Sequence, residues 1–132
     1  MDKKNILSVK NLKKIYSKQH NGKTYALNDL NLDVKEGEIF GLLGPNGAGK
    51  TTFINILAGT VIKTEGEVNV CGFDLDENPR QVRASVGVVP QEINLDPFFS
   101  PRKLLDLQAG LYGVKEKDRI TDTILKLVSL QK

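Results

Sequence analysis
The 132-residue sequence predicts an α/β fold in three stretches: an N-terminal antiparallel β-subdomain over about residues 5–38, a core part over 39–91, and the start of a helical subdomain over 92–132. Three observations predict it. Apolar and polar residues alternate through the first half of NILSVKNLKKIYS, as they do on a half-buried strand. The run IFGLLG is almost wholly apolar, as on a strand covered on both faces, and it leads through GPNGAGKTT into the helix-like KTTFINILAG. From Ser100 onward the apolar residues recur at helical spacing.

Each element has its own warrant. Strands are expected at 5–10, 24–27 and 30–35, with Asn21-Gly22 as a turn signal and Glu36-Gly37-Glu38 as a tight turn. A buried strand follows at 39–44, then the glycine-rich loop, then a helix over 50–59. Phe53, Ile54, Ile56 and Leu57 form its apolar face, and Gly59 stands where a left-handed residue closes a helix. A turn at Glu65-Gly66 precedes a strand at 67–72, a short helical piece at 79–84 and a second buried strand at 85–90, ended by Pro90. Residues 91–99 read as a loop. Ser100 and Pro101 supply a cap and a first-turn proline for a helix running to Tyr112, stopped by Gly113. A second helix is expected to start near Glu116, with Ile120, Ile124 and Val128 on one face.

Composition narrows the function classes. Hydrophobic residues make up 39% and charged residues 27%, ordinary values for one globular domain. No apolar run approaches the length of a membrane span, and MDKKNILSVK lacks the apolar stretch of a secretory leader. The single Cys71 forms no internal disulfide, which fits a reducing compartment; beside Gly72 at a strand end it is read as a core-packing residue. The net charge is +3 and Lys and Arg never run beyond two in a row, so no nucleic-acid partner is expected. His20, the one histidine, is expected at the surface, and Asp74, Asp76 and Glu77 are read as a solvated loop rather than a metal site.

The chemistry is concentrated in residues 44–52. Gly44, Gly49, Lys50 and Thr51 meet the pattern G-x-x-x-x-G-K-[ST]. A phosphate chain needs many donors in a small concave space. Consecutive backbone N–H groups supply them where the chain turns tightly, which Gly44, Gly47 and Gly49 permit. The helix that follows aims its first N–H groups and its dipole at the same place. Lys50 adds a compact positive charge for the β- and γ-phosphates. The Thr51 hydroxyl is suited to Mg²⁺, which accepts few protein ligands. Strand, loop and helix follow in the order this motif requires.

The wider stretch GLLGPNGAGKTTFINILAGTVIKTEGEVNVCG resembles the first half of the ATP-binding cassette (ABC) ATPases, and the resemblance runs from about residue 5 to 132. VGVVPQEINLDPFFSPRKLLDLQAGLYGV resembles the Q-loop and following helix of the ABC-2 export group. The resemblance implies an α/β P-loop NTPase (ABC ATPase) core fragment. It also implies an ATP-binding subunit of a membrane exporter, using ATP and Mg²⁺, peripheral on the cytoplasmic face of the cell membrane.

The family's positions carry over one by one. Gly44, Pro45, Asn46, Gly47, Ala48, Gly49, Lys50, Thr51 and Thr52 match the Walker A motif, with Thr52 offering a second hydroxyl on the α-phosphate side. Tyr16 falls where the family places an aromatic that stacks on adenine; a tyrosine packing on the sheet is the structural alternative, and Tyr25, inside the next strand, is the weaker candidate. Gln91 matches the Q-loop glutamine, which touches Mg²⁺ and senses the γ-phosphate. The 91–100 region is then the expected contact with a membrane-spanning permease subunit. Its apolar tip Pro97-Phe98-Phe99 either meets that partner or tucks onto the following helix.

The family pattern also includes an LSGGQ-type signature, a Walker B strand, a catalytic glutamate and a switch histidine, and none of them occurs in the last 40 residues. Phosphoryl transfer to water needs a positioned nucleophile as well as charge stabilisation. This chain alone is therefore expected not to hydrolyse ATP, and no catalytic residue is assigned within it. A second ATP-binding subunit belongs to the full-length family arrangement, where one subunit's signature covers nucleotide on the other's Walker A loop. The strand at 39–44 is expected to lack neighbours on both edges, so that the isolated chain is unstable or self-associates. Three alternatives stand beside the transporter reading: a nucleotide-binding remnant without catalysis, a non-transport ABC protein, and another P-loop NTPase such as a small-molecule kinase.

Overall fold
A computed structural model describes residues 4–17, 22–91 and 98–130. The chain divides into two compact units, residues 1–88 and 89–132. The first unit is built on a four-stranded antiparallel sheet in the order β2-β1-β3-β4. Its elements are β1 (Asn5–Ser17), β2 (Lys23–Lys35), α1 (Lys50–Leu57), β3 (Glu65–Val70), β4 (Phe73–Asp74) and α2 (Pro79–Ser85). Val9, Leu12 and Leu27 from β1 and β2, with Val68 and Val70 from β3, pack under Phe53 and Ile56 of α1 and Val82 of α2.

The strands are longer than the sequence pattern indicated, and the reason is local. The expected strands at 24–27 and 30–35 form one strand, and the one at 5–10 continues to Ser17. Val9 and Leu12 are both buried although they lie three apart, which plain alternation forbids. Asn11, at φ +49°, is the extra residue that allows this, and its N–H donates to Asn31 Oδ1 at 2.8 Å. Asp29 at φ +52° interrupts β2 in the same way. Asn and Asp tolerate the left-handed region best among non-glycine residues. The two bulges reset the alternation, so the sequence reads as separate short strands where the chain makes continuous ones. Across this sheet Lys13 meets Glu65 at 3.1 Å and Asp29 at 3.3 Å. Glu65 first and Asp29 second hold its ammonium charged above the ordinary lysine range.

At Gly66 the backbone of β3 lies close to that of β1. At φ +95°, an added Cβ would lie 2.5 Å from the Asn11 carbonyl oxygen and 2.6 Å from Leu12 Cα. Both neighbours are backbone and cannot move aside. Gly66→Ala is expected to lower stability by about 2 kcal/mol or more, from left-handed strain plus overpacking. The urea midpoint against wild type reads this directly, and an unchanged midpoint contradicts it.

Three further expectations are corrected. Residues 39–45 and 86–90 join no ladder among the described residues, so neither apolar run is a buried strand. Ile39 is 101% exposed and Val89 93%. An all-apolar run specifies that both faces want cover, but it does not specify which strand provides it. Cys71 is exposed, not in the core. With Gly72 it forms the two-residue turn between β3 and β4, at φ +53° and +88°. Glu65 and Gly66, read as a turn, open β3 instead.

The second unit holds α3 (Pro101–Leu111), a 3₁₀ turn at Glu116–Asp118 and α4 (Thr121–Leu127). Ser100 caps α3 by accepting the Lys103 N–H at 3.4 Å, Pro101 is its first residue, and Gly113 follows it at φ +72°. The expected helix from Glu116 begins five residues later, because 116–118 make one 3₁₀ turn and Arg119 is extended. Its buried positions are therefore Thr121 and Leu125, while Ile120 and Val128 are exposed and Ile124 is half-buried. The Thr121 hydroxyl donates to Asp106 at 2.6 Å, and Arg102 pairs with Asp122, so two polar contacts join α3 to α4.

Candidate functional site
The phosphate-loop residues are arranged by three constraints. Gly47 and Gly49 take φ +84° and +85°, and the Ala48 N–H closes a turn on the Pro45 carbonyl at 3.2 Å. Next, α1 starts at Lys50 with Gly49 as its cap residue and no side-chain cap. Its first helical bond runs from the Phe53 N–H to the Gly49 carbonyl at 2.9 Å. The N–H groups of Lys50, Thr51 and Thr52 precede that bond and have no helical acceptor. No acidic residue stands in the first turn, so the positive end of the helix dipole is not offset by a carboxylate. Finally, Phe53 and Ile56 are buried, which holds the helix on the sheet.

Gly49 seats the loop on the sheet. A Cβ there would lie 2.2 Å from the Ala26 carbonyl oxygen and 2.8 Å from Leu27 Cδ2, so only hydrogen fits. Gly47 has nothing within 4 Å of a would-be Cβ and faces open space. Lys50 folds back over the loop: its Nζ donates to the Pro45 carbonyl at 2.8 Å and also to the Gly44 carbonyl. The ammonium is thereby held over the turn that the Ala48 N–H closes on Pro45. A loop of exposed N–H groups, a helix N-terminus and a centred ammonium together suit a polyanion. These donors suit a chain of phosphates, and Thr51, which is exposed, brings a hydroxyl of the kind Mg²⁺ accepts.

Tyr16 lies near the end of β1, paired with Thr24, while Leu27 beside Gly49 pairs with Lys14. Tyr16 is thus two residues, about 7 Å at the strand rise of about 3.3 Å per residue, along β1 from the ladder position beside the seat of the loop. Tyr16 is 43% exposed, and Lys14 Nζ stands 4.8 Å from its ring centroid. Tyr25 pairs with Ile15 inside β2 and is also exposed. Sequence reasoning missed Lys14; the i, i+2 spacing to Tyr16 on a strand was the available signal.

Gln91 belongs to the second unit, where it is exposed, and it borders residues 92–97, which include Pro97 and, with His20 and Asn21, lie outside the described residues. Phe98 is 91% exposed. The acidic group at 74–77 is an internal turn: Asp74 Oδ1 accepts the N–H groups of Asp76 at 2.8 Å and Glu77 at 3.1 Å, and Asp76 pairs with Lys63 at 2.7 Å. Among the described residues there is no group of three or more His, Cys, Asp or Glu side chains able to hold a metal ion, and no helix long and apolar enough to cross a membrane.

This fold and loop define a nucleotide-binding cassette, and the comparisons agree. The family profile of the ABC transporters matches residues 27–132, and the chain belongs to that family. A Nod factor export ATP-binding protein I of Cupriavidus pinatubonensis is 39% identical over 128 residues, which cover 96% of this chain and 38% of that protein. The solved ATP-binding subunit of an ABC transporter superposes with a TM-score of 0.81 at 29% identity, over 96% of this chain and 51% of its own. A dimeric ATP-binding cassette in a post-hydrolysis state, bound to ADP and Pi, gives 0.76 at 28% identity, over 93% and 56%. The chain spans about half or less of the length of these relatives.

Proposed function
We propose that residues 44–52 hold the phosphates of MgATP, and that the chain is the nucleotide-binding part of an ATPase subunit that powers a membrane exporter. The observation that carries the reading is the placement of the Lys50 ammonium over the loop, beside the unpaired N–H groups that open α1. Gly44, Pro45, Asn46, Gly47, Ala48 and Gly49 supply the backbone cradle. Lys50 binds the β- and γ-phosphates, and Thr52 the α-phosphate side. Thr51 would hold Mg²⁺, which when bound neutralises charge on the phosphate oxygens, and Gln91 keeps the Q-loop role that its sequence match implies. Tyr16 offers its ring to the adenine.

The exporter assignment rests on the ABC family match and on the relative whose name describes Nod factor export. In this reading the 91–100 region meets a membrane-spanning permease subunit. A second ATP-binding subunit faces the first, as in the related dimeric cassette. In this reading the protein is peripheral on the cytoplasmic face of the membrane.

Calorimetric titration of the chain with MgATP, with phosphate release followed in parallel, tests the proposal. Saturable binding that is lost in Lys50→Ala supports it. Equal binding by both proteins removes the loop from consideration. Phosphate release above the Lys50→Ala background contradicts the expectation that this chain binds without turnover.

A further inference from the structure
We propose that Lys14 is a positioning residue for the base-binding ring: it fixes Tyr16 in the orientation that stacks on adenine. The inference rests on the nucleotide reading given above and adds a residue to it.

Lys14 has two partners. Its Nζ lies 4.8 Å from the centroid of the Tyr16 ring, inside the range over which an ammonium is attracted by an aromatic face. The same Nζ donates to the Ile62 carbonyl at 2.8 Å. That carbonyl is itself fixed. The connection from α1 to β3 is tied to β1 on both sides of Lys14. The Thr64 N–H donates to the Lys13 carbonyl at 2.9 Å, and the Ile15 N–H donates to Thr64 Oγ1 at 3.0 Å. The ammonium is therefore held by a clamped backbone segment, and the ring rests against a fixed charge.

A tyrosine near a strand end otherwise samples its χ1 and χ2 torsions, and a stacked base must freeze them. An ammonium held against one ring face restricts those torsions before any ligand arrives. With 43% of Tyr16 still accessible, ring surface remains for a planar ligand. Preorganisation of this kind improves affinity without a direct contact between lysine and ligand. Lys14 does not belong to the phosphate cradle, so its effect is confined to the base.

The test compares MgATP with magnesium tripolyphosphate, which carries the phosphates without the base, by calorimetry on the whole chain. For Lys14→Met the expected result is a two- to five-fold loss of MgATP affinity, as an exposed ammonium–ring contact predicts, with tripolyphosphate unchanged. In a Tyr16→Leu background the same substitution is expected to cause no further loss. Lys14→Arg, which keeps the charge and stacks on the ring, is expected to bind MgATP like wild type. Equal losses for both probes, an unchanged MgATP affinity, or the same loss in the Tyr16→Leu background each overturn the proposal. If Lys14→Met does not fold by circular dichroism, Lys14→Gln decides, since it keeps a donor for Ile62 without the charge; wild-type MgATP affinity there also overturns it. A wild-type chain that binds tripolyphosphate but gains nothing from the base removes this proposal and leaves the phosphate site standing. One that binds neither probe removes the nucleotide reading itself.

Discussion
Replacing Lys50 by alanine is expected to weaken MgATP binding by about ten-fold to more than one hundred-fold while leaving the fold intact. A hydrogen bond to a charged group contributes about 1.5–3 kcal/mol, and Lys50 is the cation placed over the loop. Its present partners are the carbonyls of Gly44 and Pro45, which lie in an exposed turn. Removing the ammonium leaves those carbonyls to water, so stability changes little. Binding must also exchange these two carbonyl contacts for phosphate oxygens, so the measured loss is a difference between two sets of partners. Lys50→Arg is not a rescue, because a planar fork does not replace a compact ammonium in a turn this tight. Calorimetry gives the affinity and thermal unfolding the stability. An affinity within two-fold of wild type for Lys50→Ala removes the loop as the phosphate site.

The second large effect separates two glycines with the same backbone angle. Gly49→Ala is expected to destabilise the chain by about 2–5 kcal/mol, and Gly47→Ala by only about 1 kcal/mol. Both lie near φ +85°, so both incur left-handed strain. Only at position 49 does the new methyl meet backbone, 2.2 Å from the Ala26 carbonyl oxygen. The helix must then lift from β2, and Phe53 and Ile56 lose part of their burial. Since small domains are stable by about 5–15 kcal/mol, the first variant forfeits a large share and the second a small one. Urea unfolding of the two variants side by side measures the gap. Equal midpoints would show that backbone angle alone, and not the contact with β2, decides.

The loop and its helix were legible in the sequence because their signals are local. A glycine that must be left-handed, a lysine at fixed offset and a closing Gly59 at φ +73° need no distant partner to be recognised. The caps of α3 at Ser100, Pro101 and Gly113 were legible for the same reason. The bulges at Asn11 and Asp29 were not, since they show only as broken alternation that looks like a strand end. The apolar runs at 39–44 and 85–90 announced a wish for burial, but strand identity comes from a ladder partner, which composition cannot name. In the sequence Cys71 continues the apolar pattern of the strand expected at 67–72, whereas the chain turns there. Lys14 was overlooked because its role depends on the Ile62 carbonyl, 48 residues away in sequence.

The contact between Gly49 and Ala26 makes unequal demands on the two positions it joins. On the β2 side it uses a carbonyl oxygen, which every amino acid brings, so the identity of residue 26 is left to other pressures. On the loop side it accepts a hydrogen and nothing larger. Mutational tolerance is therefore concentrated on one side of a single van der Waals contact. Residue 26 can change its side chain without moving the loop, while the loop has one permitted letter at the point where it rests.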